Sequence, residues 1–283
     1  AAGNKGVTRK YPHIPGIDAA GIVEESQNEA FNTGDPVIVT SYDLGMNTSG
    51  GFGQYIRVPA DWVVRLPDNL SLKESMIYGT AGFTAGLSVY EIVENLKPDD
   101  GEVLVTGATG GVGSMAVAIL SRLGYSVAAA SGKPDAETFL SGLGAKRIVT
   151  RQDVMDDSNR PLLKMAWAGV VDTVGGDILA TAIKSAHAGG TVTCCGNVAS
   201  PSLPLTVFPF ILRGVRLMGI DSQNCPMAHR AAVWQKLSAE WKIDQLGTIY
   251  QEVGLADLNP YIDKILKGGI TGRIVVNLEN VTI

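Results

Sequence analysis

This chain of 283 residues has few cysteines, no long apolar run and no excess of positive charge. Each of these features argues against a class of protein. Its three cysteines, Cys194, Cys195 and Cys225, cannot all pair, which indicates a reducing compartment such as the cytoplasm rather than a disulfide framework. No run of about eighteen apolar residues and no signal-peptide pattern supports a membrane or secretory protein. The net charge of −5 argues against a nucleic-acid partner, because phosphate binding would require clustered Lys and Arg.

Two common catalytic motifs are missing as well. The chain has no Gly-x-Ser-x-Gly elbow, so it lacks the nucleophile of an α/β-hydrolase. Its glycine-rich loop lacks the Gly-Lys-Ser/Thr ending of a P-loop, which argues against a nucleoside triphosphatase. The composition, 45% hydrophobic and 18% charged, instead fits one large or two ordinary domains with well-formed cores.

A glycine-rich segment in the middle of the chain predicts a strand, a turn and a helix in direct succession. The apolar strand Val103-Leu-Val precedes the turn Gly107-Ala-Thr-Gly110-Gly111-Val-Gly113. After the turn, apolar residues recur at helical spacing, namely Met115, Ala116, Ile119, Leu120 and Leu123. The amide groups and dipole of such a helix N-terminus favour a dinucleotide pyrophosphate, and glycine lets it approach the backbone. The spacing is Gly-x-x-Gly-x-x-Gly, so a purely structural turn is the alternative.

The end of the next strand indicates which dinucleotide is bound. Residues 126–130 form that strand, and Ser131-Gly132-Lys133 follows where an NAD-binding chain would place an acidic residue for the ribose hydroxyls. A hydroxyl and a lysine suit a 2′-phosphate instead, so NADPH is the predicted cofactor. Asp135 and Glu137 come after Pro134 and are expected to begin the next helix. The alternative for Lys133 is an ordinary solvated lysine.

The pattern of apolar residues changes twice along the chain. Residues 1–77 are rich in short β-type segments, at 21–24, 34–40 and 51–58. Residues 78–222 alternate strands and helices, which predicts a doubly wound parallel sheet. The expected strands are 103–106, 126–130, 147–150, 169–174, 191–194 and 215–220. Residues 223–283 contain predicted helices at 227–240 and 258–266 and a last strand at 272–278 that is expected to pair with the first domain.

Several motifs, in this order, resemble the medium-chain dehydrogenase/reductase superfamily. They are Pro15-Gly16-Ile17-Asp18-Ala-Ala-Gly21, Gly34-Asp35-Pro-Val37, Gly51-Gly-Phe-Gly-Gln-Tyr55, Gly79-Thr80-Ala-Gly-Phe-Thr-Ala85 and the glycine loop. Residues 203–222 resemble more narrowly its acrylyl-CoA reductase and quinone oxidoreductase branch. The resemblance implies an α/β fold, with a Rossmann domain plus a β-rich GroES-like catalytic domain. It also implies that the catalytic domain is N-terminally incomplete here and that the missing part carries a tyrosine that contacts the cofactor.

The same comparison of motifs predicts an enzyme without zinc. In the zinc-dependent members of the superfamily, the segment matching Gly16-Ile17-Asp18 reads Gly-His-Glu, so the histidine ligand is replaced by Ile17. A catalytic zinc needs three protein ligands, and no cysteine precedes Cys194. The three histidines are too isolated in the sequence to form a ligand set; they are His13, His187 and His229.

Without a metal, the expected chemistry is hydride transfer from NADPH to a double bond that a carbonyl already polarises, with acrylyl-CoA as the favoured substrate. A quinone reductase and a non-enzymatic NADPH-binding protein are the alternatives. The protein must also supply a donor for the thioester oxygen, and the catalytic candidates are Tyr78, Thr80 and Asn197. Packing and strand-end capping are their alternative roles. Arg213 is expected either to hold a substrate phosphate or carboxylate or to pair with a surface acid.

The remaining expectations concern the cofactor and the assembly. The predicted cofactor-binding residues are Thr109, Gly110, Gly111, Val112, Ser131, Gly132, Lys133, Asn197 and Arg273. The segment Asp172-Thr-Val-Gly175-Gly176 is expected either to line the cofactor crevice or to serve a turn. Apart from its small-molecule substrate, the expected partner is a second copy of the chain, paired through an apolar strand at 208–212.

Overall fold

The computed structural model describes residue 8 and residues 11–278, which form two compact units. The first unit contains the chain up to Phe83, the segment Ser222–Glu240 and the chain from Leu246 onward. The second contains Thr84–Asp221 and Trp241–Gln245. The sequence places the corresponding switches after residues 77 and 222. It gives no sign that Trp241–Gln245 returns to the second unit, where Trp241 is buried and its ring lies 6.4 Å from that of Tyr90.

The regular elements of the described residues follow in chain order. The strands are β1 Asp18–Ile22, β2 Pro36–Thr40, β3 Val63–Arg65, β4 Val103–Val105, β5 Val127–Ser131, β6 Arg147–Thr150, β7 Trp167–Asp172, β8 Ala186–Cys194, β9 Arg216–Gly219, β10 Tyr250–Gly254 and β11 Arg273–Asn277. The helices are α1 Leu72–Asn95, α2 Gly111–Arg122, α3 Ala136–Gly142, α4 Gly176–Lys184, α5 Phe208–Arg213, α6 Met227–Ser238 and α7 Asn259–Leu266. None of these helices is both long and apolar enough to cross a bilayer.

The second unit is built on the parallel six-stranded sheet that the sequence predicts. Its order is β6-β5-β4-β7-β8-β9, and every pair in it is parallel. The strands β4 and β7 are buried along their whole length, as expected for central strands of a sheet with helices on both faces. The chain runs outward from β4 to β6 and then returns to β7 on the other side of β4. The carboxyl ends of β4 and β7 therefore border the switch point, where open α/β sheets bind ligands.

The first unit contains an antiparallel sheet in the order β1-β2-β3 and a parallel pair, β10-β11. The expected β-type segment at 51–58 is wrong, because the structure has no strand there. The Gly51 amide instead donates to the Gly16 carbonyl at 2.8 Å, and a Cβ on Gly50 would lie 2.4 Å from the Pro15 carbonyl oxygen. This glycine segment docks directly on the backbone of residues 15–16, a contact that regular strand geometry does not provide.

Two further predictions about strands need correction. The apolar segment 208–212 is not a strand but belongs to the helix α5, because Pro209 suits the first turn of a helix and Gly214, with φ of 61°, ends it. The last strand, β11, is present as predicted, but it pairs with β10 rather than with β1, β2 or β3.

The helix α1 is broken at Gly79, which has φ of 49° and ψ of −157°. A Cβ on this residue would lie 2.6 Å from an Asp18 carboxylate oxygen and 2.5 Å from an Arg273 guanidinium nitrogen. Glycine is therefore required here for the positive φ and for the space. The Asp18 carboxylate accepts the backbone N–H of Thr80 at 2.9 Å, so it caps the part of the helix that follows the break.

Candidate active site

The predicted glycine turn joins β4 to α2 and leaves the N-terminus of that helix uncapped by any side chain. Gly110 is the N-cap residue, no side chain caps the helix, and its first turn holds no acidic residue. Gly110, Gly111 and Val112 are partly exposed. The unpaired amides of a first turn and the helix dipole both attract an anion, so this cradle fits a phosphate group.

Contacts between backbone atoms hold the turn in shape. A Cβ on Gly113 would lie 2.4 Å from the Gly107 carbonyl oxygen, so no other residue fits without moving the turn. The amide of Gly110 donates to the same carbonyl at 2.9 Å. At Gly110 the space is less restricted, since a Cβ would meet only that oxygen, at 3.3 Å, a tight contact that a shift of a few tenths of an ångström would relieve. The glycines thus serve both the turn and the open surface of the cradle.

A hydroxyl and a lysine follow β5, as predicted. The Ser131 hydroxyl accepts the backbone N–H of Lys133 at 3.1 Å, and it lies 3.5 Å from the hydroxyl of the buried Thr109. Gly132 is exposed, while Lys133 is half-buried. Burial lowers the pKa of the Lys133 ammonium group. The structure therefore groups Thr109, Ser131, Gly132 and Lys133 at one edge of the sheet.

Arg151 belongs to the same edge, and the sequence analysis missed it. Arg151 follows β6, and its guanidinium group lies 3.5 Å from where a Cβ on Gly132 would stand. It lines one cleft with Ser131 and Gly132. The sheet order held the signal, because neighbouring parallel strands end at the same edge and β6 lies beside β5. The cationic side chain next to Ser131 is thus Arg151 as well as Lys133.

The segment after β7 forms a turn with an inward-facing carboxylate. Asp172 is fully buried, so its side chain does not line a crevice. It accepts the Thr106 hydroxyl at 2.7 Å and the Gly175 amide at 2.8 Å. Burial raises the pKa of Asp172, and these hydrogen bonds oppose that effect. Gly175 and Gly176 have φ of 76° and 63°, which is the turn role that the sequence left open.

Asn197 is exposed on the loop after β8, and this loop packs tightly against the turn after β7. A Cβ on Gly196 would lie 2.0 Å from the Thr173 carbonyl oxygen, and the Ala199 amide donates to the Val174 carbonyl at 2.9 Å. These backbone contacts hold the loop in place, and Asn197 lies on it with its side chain exposed.

The two adjacent cysteines at the end of β8 are poor nucleophiles. Burial and the negative charge of Asp172 raise the pKa of Cys195 to about 12. The same two causes raise the pKa of Cys194. Both shifts disfavour the thiolate, which is the reactive form of cysteine.

The candidates in the first unit are engaged with other protein groups. Tyr78 has no exposed surface, and its ring packs edge-on against Trp234 at 6.4 Å, which supports the packing role. The Thr80 hydroxyl donates to Asp18 Oδ1 at 2.5 Å and also lies 3.0 Å from the Ser41 hydroxyl. Because a carboxylate accepts the proton of Thr80, the Ser41 hydroxyl must be the donor in the second contact.

The two arginines considered as binding residues also have protein partners. Arg273 bonds to Asp18 Oδ2 at 3.3 Å and to the Ile77 carbonyl at 3.2 Å. One hydrogen-bonded group of the first unit, the Asp18 cluster, thus contains Asp18, Ser41, Thr80 and Arg273. Arg213 donates to the carbonyls of Leu163, Lys184 and Ala186, at 2.5, 2.9 and 3.2 Å. This is neither of the two roles expected for Arg213.

Within residue 8 and residues 11–278, no group of three or more His, Cys, Asp and Glu residues could hold a metal ion. Ile17, at the position of the missing histidine, is 41% exposed. His13 bonds to the Gly45 carbonyl at 2.8 Å.

Comparisons with known proteins agree with this architecture. Residues 2–68 match the family described as alcohol dehydrogenase GroES-like domain, and residues 111–239 match the one described as zinc-binding dehydrogenase. The Bacillus subtilis protein "Putative quinone oxidoreductase YhfP" is 50% identical over 98% of this chain and 84% of its own length. Acrylyl-CoA reductase AcuI of Ruegeria pomeroyi is 45% identical over 97% of this chain and 83% of its own length.

Solved structures show the same relationship. The yhdH oxidoreductase of Salmonella enterica, in complex with NADP, has a TM-score of 0.94 and 44% identity over 96% of this chain and 84% of that chain. The structure of YhfP, with NAD bound, has a TM-score of 0.94 over 96% of this chain and 83% of that chain. Since relatives of such identity cover most of its length, the chain belongs to the medium-chain dehydrogenase/reductase superfamily.

Proposed function

We propose that this protein is an NADPH-dependent, zinc-free reductase that acts on a carbon–carbon double bond polarised by a thioester, with acrylyl-CoA as substrate and propionyl-CoA as product. The observation that carries the proposal is the group of Ser131, Lys133 and Arg151 beside the uncapped N-terminus of α2. The acrylyl-CoA reductase AcuI, at 45% identity, supports the substrate class.

The residues at the end of β5 and β6 fit the 2′-phosphate of NADPH. Ser131 offers a hydroxyl, while Lys133 and Arg151 offer two positive charges, of which Arg151 has the planar geometry that binds phosphate through two hydrogen bonds. No acidic residue lines the cleft that Ser131, Gly132 and Arg151 share. The yhdH structure contains NADP and the YhfP structure contains NAD, so relatives differ in the bound dinucleotide and the side chains of this chain must favour one of the two.

The amides of Gly111 and Val112, at the start of α2 beside Gly110, would hold the pyrophosphate. When bound, NADPH supplies the hydride that reduction of the double bond requires. The chain must orient the reactants and stabilise the negative charge that develops on the thioester oxygen. Asn197 has an exposed amide on a fixed loop and is the proposed donor. Thr80 already donates its proton to Asp18, so it can only accept a hydrogen bond from a ligand.

The zinc-free part of the proposal rests on the residue types present. Ile17 has no atom that can bind zinc, and no cysteine precedes Cys194. Thr80 and Asp18 bond to each other rather than standing ready as ligands. Without a Lewis acid to polarise an alcohol or a simple carbonyl, the substrate must carry its own activation.

A quinone reductase with the same cofactor is the second candidate, because the relative at 50% identity is named as one. A protein that binds NADPH without turnover is the third candidate. The three candidates differ in the fate of NADPH. The two reductases oxidise it with different acceptors, whereas the binding protein does not oxidise it.

We also propose a homodimer, with β9 in place of the incorrectly predicted strand at 208–212. Among the described strands, β9 is the last of the six-stranded sheet, so its outer edge has no neighbour. The adjoining helix α5 exposes Ile211 and Leu212 by 66% and 64%. An open edge beside an apolar surface can pair with its own copy across a twofold axis.

The substrate prediction is tested by following NADPH consumption with the purified protein. We expect rapid oxidation with acrylyl-CoA, slower oxidation with a simple benzoquinone, and no oxidation of simple alcohols with NADP. Prior dialysis against EDTA should leave the rate unchanged. Faster reduction of the quinone would favour the second candidate, and binding without turnover would favour the third. Alcohol oxidation that EDTA abolishes would contradict the zinc-free mechanism.

The cofactor prediction concerns the two cations. Lys133→Ala and Arg151→Ala should each weaken NADPH binding by about 1–3 kcal/mol, the range for a lost hydrogen bond to a charged group, and weaken NADH binding much less. Fluorescence titration with both nucleotides measures the difference. Lys164→Ala, which removes an exposed lysine of the same unit, is the matched control. Equal losses for NADPH and NADH would contradict the assignment of the 2′-phosphate site.

The cradle prediction uses Gly110, where an added Cβ would meet only one oxygen, at 3.3 Å. Its φ of −78° and ψ of 173° are accessible to valine, so Gly110→Val should fold while its side chain blocks the approach of a phosphate to the amides. We expect NADPH binding to be lost in titration calorimetry while the variant still unfolds in one cooperative thermal transition. Gly142→Val, where a Cβ would meet nothing within 4 Å, is the control. Retained affinity in the folded Gly110→Val variant would place the site elsewhere.

The dimer prediction is checked by sedimentation equilibrium. The wild type should sediment as a dimer, whereas the double variant Ile211→Lys and Leu212→Lys should sediment as a folded monomer because charge would replace the buried apolar contact. Met165→Lys, at a residue 50% exposed elsewhere in the same unit, should leave the dimer intact. A monomeric wild type, or a dimer in the double variant, would refute this interface.

A further inference from the structure

Three residues tie the end of β4 to the end of β7. The Thr106 hydroxyl donates to Asp172 Oδ1 at 2.7 Å and accepts the backbone N–H of Thr173 at 3.0 Å. The Thr173 hydroxyl in turn donates to the Thr106 carbonyl at 2.9 Å. Thr106 therefore has both its hydroxyl and its carbonyl committed to the neighbouring strand.

The second oxygen of the Asp172 carboxylate holds the turn that follows β7. Oδ2 accepts the amide of Gly175 at 2.8 Å and that of Val174 at 3.3 Å. The backbone carbonyl of Asp172 accepts the amide of Cys195, after β8, at 3.0 Å. One residue thus contacts the segments that follow three parallel strands.

The link from Thr106 continues into the glycine turn. Gly107 comes directly after Thr106, and a Cβ on it would lie 2.3 Å from the Thr173 hydroxyl oxygen. The carbonyl of Gly107 accepts the amide of Gly110, the N-cap residue of α2. A displacement of Thr106 would consequently move Gly107 and, through it, the amide cradle.

Burial separates Asp172 from any ligand. Its exposed fraction is zero, so it cannot touch a cofactor, and a carboxylate is costly to bury unless several donors satisfy it. Here a hydroxyl and two amides do so. A side chain that only filled space at this position would not need this set of partners.

We propose that Asp172, through Thr106, is a positioning residue that fixes the glycine turn for the pyrophosphate and thereby sets the affinity for the dinucleotide beyond its adenosine end. This inference rests on the proposed NADPH-binding function. The adenosine end depends instead on Ser131, Lys133 and Arg151, which follow β5 and β6.

Because different residues are proposed to bind the adenosine end and the pyrophosphate, two ligands can test the proposal. Adenosine 2′-monophosphate carries the adenosine and the 2′-phosphate but lacks the pyrophosphate and the nicotinamide half. Its affinity reports the Ser131 end of the site. NADPH reports both ends, so the ratio of the two affinities isolates the effect of Asp172 and Thr106.

The experiment measures both affinities by titration calorimetry, together with thermal unfolding, for the wild type and four variants. Thr106→Val removes the hydroxyl, and we expect the Kd for NADPH to rise about tenfold or more, as for a lost hydrogen bond to a charged group, while that for adenosine 2′-monophosphate changes less than about twofold. Asp172→Asn should show the same pattern, because an amide can accept from Thr106 or from Gly175 but not from both. Thr106→Ser should restore the NADPH affinity.

Thr191→Val is the matched control, since Thr191 is equally buried in the same sheet and its hydroxyl has no hydrogen-bond partner among the described residues. It should leave both affinities unchanged. Equal losses for the two ligands in Thr106→Val would mean a merely structural role and would overturn the proposal, as would no loss at all. If Thr106→Val does not fold, Thr173→Val removes the parallel tie and must show the same selective loss. A wild type that binds neither ligand contradicts the proposed function itself.

Discussion

Close approach of backbone segments at the carboxyl edge of the parallel sheet is the constraint on which the candidate site depends. Gly107, Gly113 and Gly196 stand where a Cβ would lie between 2.0 and 2.4 Å from another residue's oxygen atom. No side chain larger than hydrogen fits at such distances. The turns after β4, β7 and β8 are therefore held by contacts that glycine alone permits, and the exposed amides of α2 keep a fixed place beside them.

The carboxyl edge of the parallel sheet has a positive character because a helix N-terminus and two cationic side chains lie beside these turns. The uncapped start of α2 attracts negative charge, and Lys133 and Arg151 add two cations after β5 and β6. The carboxylate of Asp172, at the end of β7, faces inward and accepts hydrogen bonds from a hydroxyl and two amides. An anionic ligand bound at this edge would meet donors and cations, while the buried carboxylate of Asp172 would stay out of its reach.

How much the sequence predicts depends on the range of the interaction concerned. The six strands of the parallel sheet and the helix after the glycine turn are found close to their expected positions, because their patterns are local. The segment 51–58 was wrongly predicted as β-type, because it docks on the backbone of residues 15–16 instead of joining a sheet. The apolar segment 208–212 was wrongly predicted as a strand, because Pro209 favours the first turn of a helix, here α5. Two contacts of the site were not predicted because they join residues that are distant in sequence. They are the approach of Arg151 to Gly132 and the hydrogen bond between Thr106 and Asp172, and only the order of the strands brings these residues together.

The cluster around Asp18 narrows the roles that remain for the first unit. Asp18 accepts the amide and the hydroxyl of Thr80 with one oxygen and Arg273 with the other. Ser41 donates toward Thr80, so each hydrogen of this chain of hydroxyls already points to an acceptor within the protein. A group in this arrangement cannot give a proton to a ligand unless Asp18 or Thr80 is first displaced. In the proposed reaction, a donor that stabilises the developing negative charge must therefore lie outside the cluster, and Asn197, whose side chain is exposed, is the proposed donor.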